Sequence, residues 1–287
     1  MIRRTSSAVA TARLRAPGVG DASFRANVRQ LAHQGTRVEG LEPRRLMSVA
    51  ADNGGYTIVT PASDTRVVHV SSTKGNDAND GLSPDRPVAT LAKGKSLLRD
   101  EAGDQLLLEK GSVFTSGLGY WKISGKDENQ PLVIGTCGTG ARPEIADGST
   151  YAFAAGAGGS SNLLHDVVVQ GIRFYAAKRD PGNPAFNALT KTDGVYIAGN
   201  AKNILFEDMS VEFYKNNFVV STYFGPITNF QLRKSNVSNS WSNGSHSQGI
   251  YIEDVNGVLF EGNTFDHNGW NVAANAKPTI FNHSAYV

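Results

Sequence analysis

A chain of 287 residues, 40% of them hydrophobic, can bury a sizeable core as one or two domains. Its net charge of +2 is uneven: residues 1–50 hold nine Arg, no Lys and three acids, a local balance of +6 that leaves −4 for the remainder. A mildly acidic body excludes a nucleic-acid binder, whose fold would itself be basic. The single cysteine, Cys137, excludes an intrachain disulfide and a Cys-built zinc site, and reads as a small apolar residue in an early turn of the fold. No segment approaches the roughly 18 apolar residues of a membrane span.

Residues 1–60 are rich in Arg, Ser, Ala and Gly without a sustained period, so a poorly ordered basic arm is expected. The apolar run at 7–12 is too short for a secretory leader. Residues 38–48, VEGLEPRRLMS, resemble an L-E-P-R-x-L motif near the start of many exported bacterial proteins, so export is expected. Residues 67–70 alternate as a strand. The loop GNDANDG at 75–81 invites a calcium reading, but with Gly81 as the sixth EF-hand position Ala78 takes the third, where an oxygen ligand is needed. A turn built on Asn, Asp and Gly is the expectation. Residues 83–100 predict a short helix with Pro87 near its start and Val88, Leu91, Leu97 and Leu98 on its apolar side. Strands follow at 105–109 and 132–135.

From Asp166 onward one pattern recurs four times: Asp166 to Phe174, Asn203 to Val211, Asn229 to Val237 and Gly257 to Phe265. Each unit has apolar residues at its second, fourth and ninth positions, and the steps between units are 37, 26 and 28 residues. Period-two alternation marks a strand with one buried face, and recurrence at this spacing marks a solenoid whose coils bury their faces by stacking. Pro181 and Pro184 mark an insertion at 176–192 that accounts for the long first step. A second series lies between: GVYI ending at Ile197, NFVV at Val220, GIYI at Ile252 and SAYV at Val287. Two short strands per coil with Gly- and Asn-rich corners predict an all-β, right-handed parallel β-helix over residues 66–287, capped by the helix at 83–100, which covers the unpaired edges of the first coil. The chain stops at Val287 inside the fourth strand of the second series, so further coils are expected to be missing.

Residues 256–271, NGVLFEGNTFDHNGWN, resemble the repeat of right-handed parallel β-helix proteins of the pectate-lyase-like superfamily, and residues 67–94 resemble the opening segment of bacterial members. The resemblance implies an exported, extracellular or cell-surface protein directed at polysaccharide, on a scaffold that also hosts glycosidases, epimerases, lyases and non-catalytic adhesins.

In the second series Val195, Ile197, Phe218, Val220, Ile250, Ile252, Ala285 and Val287 are expected to point inward, and Tyr196, Val219, Tyr251 and Tyr286 outward, one per coil. Before each strand sits a polar residue, Asp193, Asn216, Gln248 and His283, preceded by Thr192, Lys215, Ser247 and Asn282. This face reads as a glycan wall, with Tyr196, Tyr251 and Tyr286 as platforms and Asn216 and Gln248 as hydrogen-bonding groups. The plainer account is that outward Tyr and Thr favour strands and Asn and Asp favour corners. Residues 192–197, TDGVYI, resemble the N-T-D-G segment of polygalacturonase-like glycosidases, in which the Asp belongs to a carboxylate set. The next coil, however, has Asn216-Asn217 where that family has paired Asp, residues 245–249 only echo its G-H-G segment, and its R-x-K pair has no match. β-Elimination or C5-epimerisation on a uronate glycan asks for less: a base for the proton α to the sugar carboxylate and a cation to neutralise that carboxylate. Asp193, Lys215, His246 and His283 are the catalytic candidates. Asp193, Glu253 and Asp254 are weak candidates for a Ca²⁺ site, since calcium takes oxygen ligands. The H-N-G at 267–269 reads as a corner, and Trp241 and Trp270 as groove walls or core. The reading is a monomeric, polysaccharide-directed β-helix, a lyase or epimerase. A non-catalytic adhesion module that binds glycan is the alternative, and a polygalacturonase-like glycosidase ranks third.

Overall fold

A computed structural model describes residues 50–156 and 163–287, so the expectations for residues 1–49 lie outside the described residues. Three parallel sheets run the length of a solenoid. The long sheet stacks Val67–Val70, Gln105–Glu109, Leu132–Cys137, Leu164–Gln170, Ala201–Glu207, Ile227–Arg233 and Asn256–Glu261. The middle sheet stacks short strands from Val113–Phe114 to Thr264–Asp266, and the third sheet those from Phe153–Ala155 to His283–Tyr286. Every pairing within these sheets is parallel, so the architecture is a parallel β-helix.

From Leu132 onward each coil carries three strands rather than the two read from the sequence. The nine-residue unit is not one strand but two, bent at its sixth position. Gly171, Asp208, Lys234 and Gly262 hold that position with φ of 75°, 53°, 48° and 65°. The first position is left-handed as well, at Asp166, Asn203, Asn229 and Gly257, with φ of 53°, 54°, 56° and 84°. Asn and Asp tolerate this conformation because their short polar chains bond locally. Here they also bond one another along the stack: Asn203 Nδ2 donates to Asp166 Oδ1 at 2.7 Å, and Asn229 Nδ2 to Asn203 Oδ1 at 2.8 Å. The eleventh position repeats the device at Phe213, Asn239 and His267. The H-N-G corner is thereby confirmed as a turn, left-handed at both His267 and Gly269. In the first unit the eleventh position, Ala176, is not left-handed, and the insertion begins there as a short 3-10 turn, Ala177–Arg179.

The second, fourth and ninth positions align as the spacing predicts. Val167, Ile204, Phe230 and Val258 form one interior column, Val169, Phe206, Leu232 and Phe260 another. Phe174, Val211, Val237 and Phe265 form a third. The first three residues of each column are fully buried, and those of the last coil are partly buried. On the third sheet Val195, Ile197, Phe218, Val220, Ile250 and Ile252 fill the interior as expected. Ala285 and Val287 do not: they are exposed on the edge strand, with no described strand paired beyond them.

The cap is a six-residue helix, Leu91–Ser96, shorter than expected because Thr90 ends the extended segment and caps it, its side chain accepting from the Lys93 N–H. Leu91 and Gly94 are buried, and Leu97 and Leu98 rest against the core. The loop before it is a turn held by its own side chains. Asp77 accepts from the Ala89 and Thr90 amides at 2.8 and 3.0 Å, which ties the loop to the helix entrance.

Residues 50–60, assigned by composition to the arm, are ordered into the fold. Ala50–Ala51 and Thr57–Ile58 form an antiparallel hairpin. Its Thr57 amide donates to Glu207 Oε2 at 2.6 Å, and Arg233 and Lys234 donate to the Gly55 and Gly54 carbonyls. Val59 then packs on Val133, Val168 and Leu205, the outward residues of the long sheet. The segment is a strap across that sheet. Its sequence did not announce it, because a two-residue strand has no period to detect.

Candidate functional site

The third sheet places its polar residues in register, one per coil, because the core columns beside them are in register. Asn216 Nδ2 donates to Asp193 Oδ1 at 2.7 Å, the Gln248 amide to Asn216 Oδ1 at 2.9 Å, and the His283 amide to Gln248 Oε1 at 2.8 Å. The row before it is tied as tightly: the Lys215 amide donates to the Thr192 carbonyl at 2.8 Å, and Ser247 Oγ to the Lys215 carbonyl at 2.6 Å. Corner amides left without strand partners need acceptors when buried, and these side chains supply them. Asn216 and Gln248 are only 7% and 4% exposed. The structure therefore uses both as ladder residues of the stack, not as the open hydrogen-bonding groups expected from sequence.

Asp193 ends this ladder and differs from its neighbours Asn216 and Gln248 in being ionisable and only half-buried. Burial pushes its carboxyl up; the Asn216 amide, then the charges of Lys215 and Arg179, pull it down without cancelling that effect. Arg179 is itself buried. It donates to the carbonyls of Phe213, Thr190 and Trp241 and lies 4.2 Å from the centre of the Trp241 ring, so it anchors the insertion and has no free face. Burial lowers its pKa to about 10. Trp241 is accordingly core, not groove wall.

Beside Asp193 stand two tyrosines. Tyr151 stacks on Tyr196 with centroids 5.1 Å apart and planes 23° apart, and Tyr120, 52% exposed, meets Tyr151 edge-on at 5.9 Å. Burial, then the charge of Asp193, pushes the hydroxyls of Tyr151 and Tyr196 up. Sequence reasoning missed Tyr120 and Tyr151. Tyr151 lies two residues before its strand, and Phe153–Ala155 lacks the Gly-x-Tyr-x signature, so strand alignment passes over it. The only signal was the Tyr-x-Phe spacing, which is too common to select.

The four catalytic candidates do not converge. His283 lies three strands from Asp193, about 14 Å along the stack at ~4.8 Å per strand. His246 is exposed and stacks flat on Phe281 at 5.0 Å and 5°. His283 leans on Tyr286 at 5.3 Å. Asp193 and Lys215, on adjacent coils, are the pair the fold brings together. The calcium candidates separate too: Glu253 ends its strand, paired with Ser221 and bonded to the Tyr251 hydroxyl, whereas Asp193 precedes its own strand two coils below. Among the described residues no group of three or more His, Cys, Asp or Glu side chains is arranged to hold a metal ion. Asp193, Glu253 and Asp254 thus do not fit a shared calcium site.

No described helix is long and apolar enough to cross a membrane. No protein-family model matches the chain. A curated lacto-N-biosidase of Bifidobacterium longum subsp. longum is 32% identical over 118 residues, which are 40% of this chain and 7% of that protein. Among solved structures, a rhamnogalacturonan lyase superposes with a TM-score of 0.50 at 16% identity, over 71% of this chain and 51% of the other. A pectate lyase, Pel9A, gives 0.42 at 15%, over 76% and 48%. The chain spans about half the length of these solved relatives and a small part of the curated one. Three stacked parallel sheets, left-handed corners at fixed positions and the likeness to the rhamnogalacturonan lyase agree on one architecture: the chain is a parallel β-helix protein.

Proposed function

We propose that this is a polysaccharide-directed β-helix protein that holds a glycan against the tyrosine row of its third sheet and acts on a uronate residue at Asp193 and Lys215. The observation that carries the reading is Asp193: a half-buried carboxyl of raised proton affinity, neighbour to an ammonium group and two stacked tyrosines. Raised affinity makes its carboxylate a stronger base than an exposed Asp. It takes the proton α to the sugar carboxylate, and the C–H electron pair moves toward the carboxyl carbon while the Lys215 ammonium stabilises the growing charge. Elimination follows when that pair forms the ring double bond and the β-oxygen leaves with its bonding electrons, gaining a proton from water. C5-epimerisation follows when the carbon is reprotonated from its other face. Polygalacturonase-like hydrolysis asks for a second carboxyl group, and the position facing Asp193 on the next coil is Asn216. A polymeric substrate places the protein outside the cell or at its surface. The glycan-acting relatives support a glycan partner.

The adhesion reading draws support from the distance of His246 and His283 from Asp193 and from the burial of the ladder amides. One assay separates the two. The protein is incubated with a panel of uronate polymers, and the ultraviolet absorbance of an unsaturated product and the C5 configuration by NMR are followed, with retention on the immobilised polymers measured in parallel. Turnover abolished by Asp193→Asn, with retention kept, is the expected result. Retention without turnover establishes the binding module, and neither retention nor turnover on any polymer overturns both.

A further inference from the structure

The tyrosine row has a gap in it. Tyr196, Val219 and Tyr251 are direct register partners on three successive strands, and Tyr286 follows on the fourth. Below the gap Tyr196 is stacked on Tyr151, and above it Tyr251 is stacked on Tyr286 at 5.5 Å and 21°. Tyr251 and Tyr286 are register partners and stack along the coil axis, whereas Tyr151 reaches Tyr196 from three residues before Ala154, the register partner of Tyr196; Tyr196 and Tyr251 flank Val219 one strand to either side. Two strand steps separate them, roughly 9.6 Å at ~4.8 Å per step. That is about twice either observed ring-to-ring distance: the gap is one ring wide.

Val219, Tyr196 and Tyr251 are all half-buried on an otherwise packed sheet. Tyr223, on the loop after the Val219 strand, is 78% exposed, pairs edge-on with Phe224 at 4.6 Å and lies near enough to Tyr196 for its charge to act on that hydroxyl. The slot has an apolar floor at Val219, aromatic walls at Tyr196 and Tyr251, and polar edges. Lys215 lies on the Val219 coil and Asp193 on the Tyr196 coil, each just before its strand, while Glu253 holds the Tyr251 hydroxyl on the far side.

We infer that this slot is a sugar subsite: a single pyranose ring inserts between Tyr196 and Tyr251, over Val219, with its rim toward Asp193 and Lys215. A pyranose has two broad C–H-bearing faces for the two rings and hydroxyls around its rim for the polar edges, which matches a slot apolar above and below and polar at its sides. This rests on the glycan reading given above and assigns the position of the ring within it. Val219 is then a specificity residue: it is the small side chain between two tyrosines in register.

The decisive variant is Val219→Tyr, which completes the ladder. Tyr suits strands, and the same position is Tyr on the strands to either side. The variant is expected to fold, checked by circular dichroism and thermal unfolding, and to lose glycan affinity at least 10-fold. Tri-galacturonate and the neutral cellotriose serve as probes, with proton NMR of the sugar as a second readout that needs no variant. A ring held between two aromatic faces has its ring C–H signals shifted upfield on binding to the unaltered protein, and Tyr196→Ala and Tyr251→Ala each diminish the shift. Sugar bound by the unaltered protein with no upfield shift, or bound equally by a folded Val219→Tyr, overturns the slot and leaves the wider reading standing. Absence of any retention across the polymer panel overturns both.

Discussion

Removing the Arg233 side chain tests how the strap is held. Arg233 lies between two carboxylates on the outer face of the long sheet, in register with Glu207 below and Glu261 above. Its Nε donates to Glu261 Oε2 at 2.7 Å, its Nη1 faces Glu207 Oε1 at 3.0 Å, and its Nη2 donates to the Gly55 carbonyl of the strap at 3.1 Å. The Glu207 side chain is 1% exposed and that of Arg233 7%, whereas Glu261 is half in water. Arg233→Ala therefore strands one buried carboxylate, Glu207, whose remaining bond is to the Thr57 amide. Stranding a buried charge costs about 3–5 kcal/mol, while the half-exposed partner adds at most about 1 kcal/mol. With a urea m-value of roughly 3 kcal/mol/M, the midpoint should fall by about 1–1.7 M. The double variant Glu207→Gln/Arg233→Met should recover most of that loss, because no buried carboxylate is then left unpaired. Amide exchange at Thr57 should accelerate in Arg233→Ala and return toward the parent rate in the double variant. A midpoint shift under about 0.3 M for Arg233→Ala, or a double variant no better than the single, would refute the claim that a buried ion pair fastens the strap.

Three further outcomes follow from the geometry. Gly94→Ala, which in an exposed helix would stabilise by about 1 kcal/mol, should destabilise by about 1–3 kcal/mol, since an added Cβ would meet Val70 Cγ2 at 2.6 Å and Leu106 Cδ1 at 2.9 Å; thermal unfolding gives the sign. Because the folded chain raises the Asp193 pKa above its unfolded value of about 3.9, stability should fall as pH rises from the unfolded toward the folded value and stay lowered above it. Asp193→Asn should remove that slope and be at least as stable as the parent at neutral pH; denaturation at a series of pH values would refute this by a slope of opposite sign. Arg179→Lys cannot donate to the Phe213, Thr190 and Trp241 carbonyls together and should lose about 2–4 kcal/mol, with protease cleavage appearing first within the insertion at 180–192.

The stack was legible because its two signals are local and repeated. Apolar residues at fixed positions of each unit become columns once parallel pairing is assumed, and Val167, Ile204, Phe230 and Val258 fall into one column as their spacing requires. The bend inside each unit was harder to read, since its four residues are Gly, Asp, Lys and Gly and share no side chain, only a left-handed backbone. Lys234 gives no hint of that conformation by its type. The strap was not legible at all, because its attachment depends on Glu207 and Arg233, some 150 to 180 residues away in the chain.

The site was half legible for a related reason. Register puts Asp193, Asn216, Gln248 and His283 in one row, and sequence suffices to find the row. What register cannot say is which members face solvent. In a solenoid each polar corner residue has a neighbour of its own kind a strand away, so amides satisfy one another and sink, while the carboxyl at the end of the row is left half-buried. Burial then raises its proton affinity instead of silencing it, since its neighbours Asn216, Lys215 and Arg179 offset the desolvation only in part. The same periodicity that hides Asn216 and Gln248 is what makes departures from it informative. Asp193 is a carboxyl bonded to a ladder of amides, and Val219 a small residue between two tyrosines. The two lie on adjacent coils, Asp193 three residues before the register partner of Val219, and it is there, not in the repeat itself, that chemistry specific to this chain is expected.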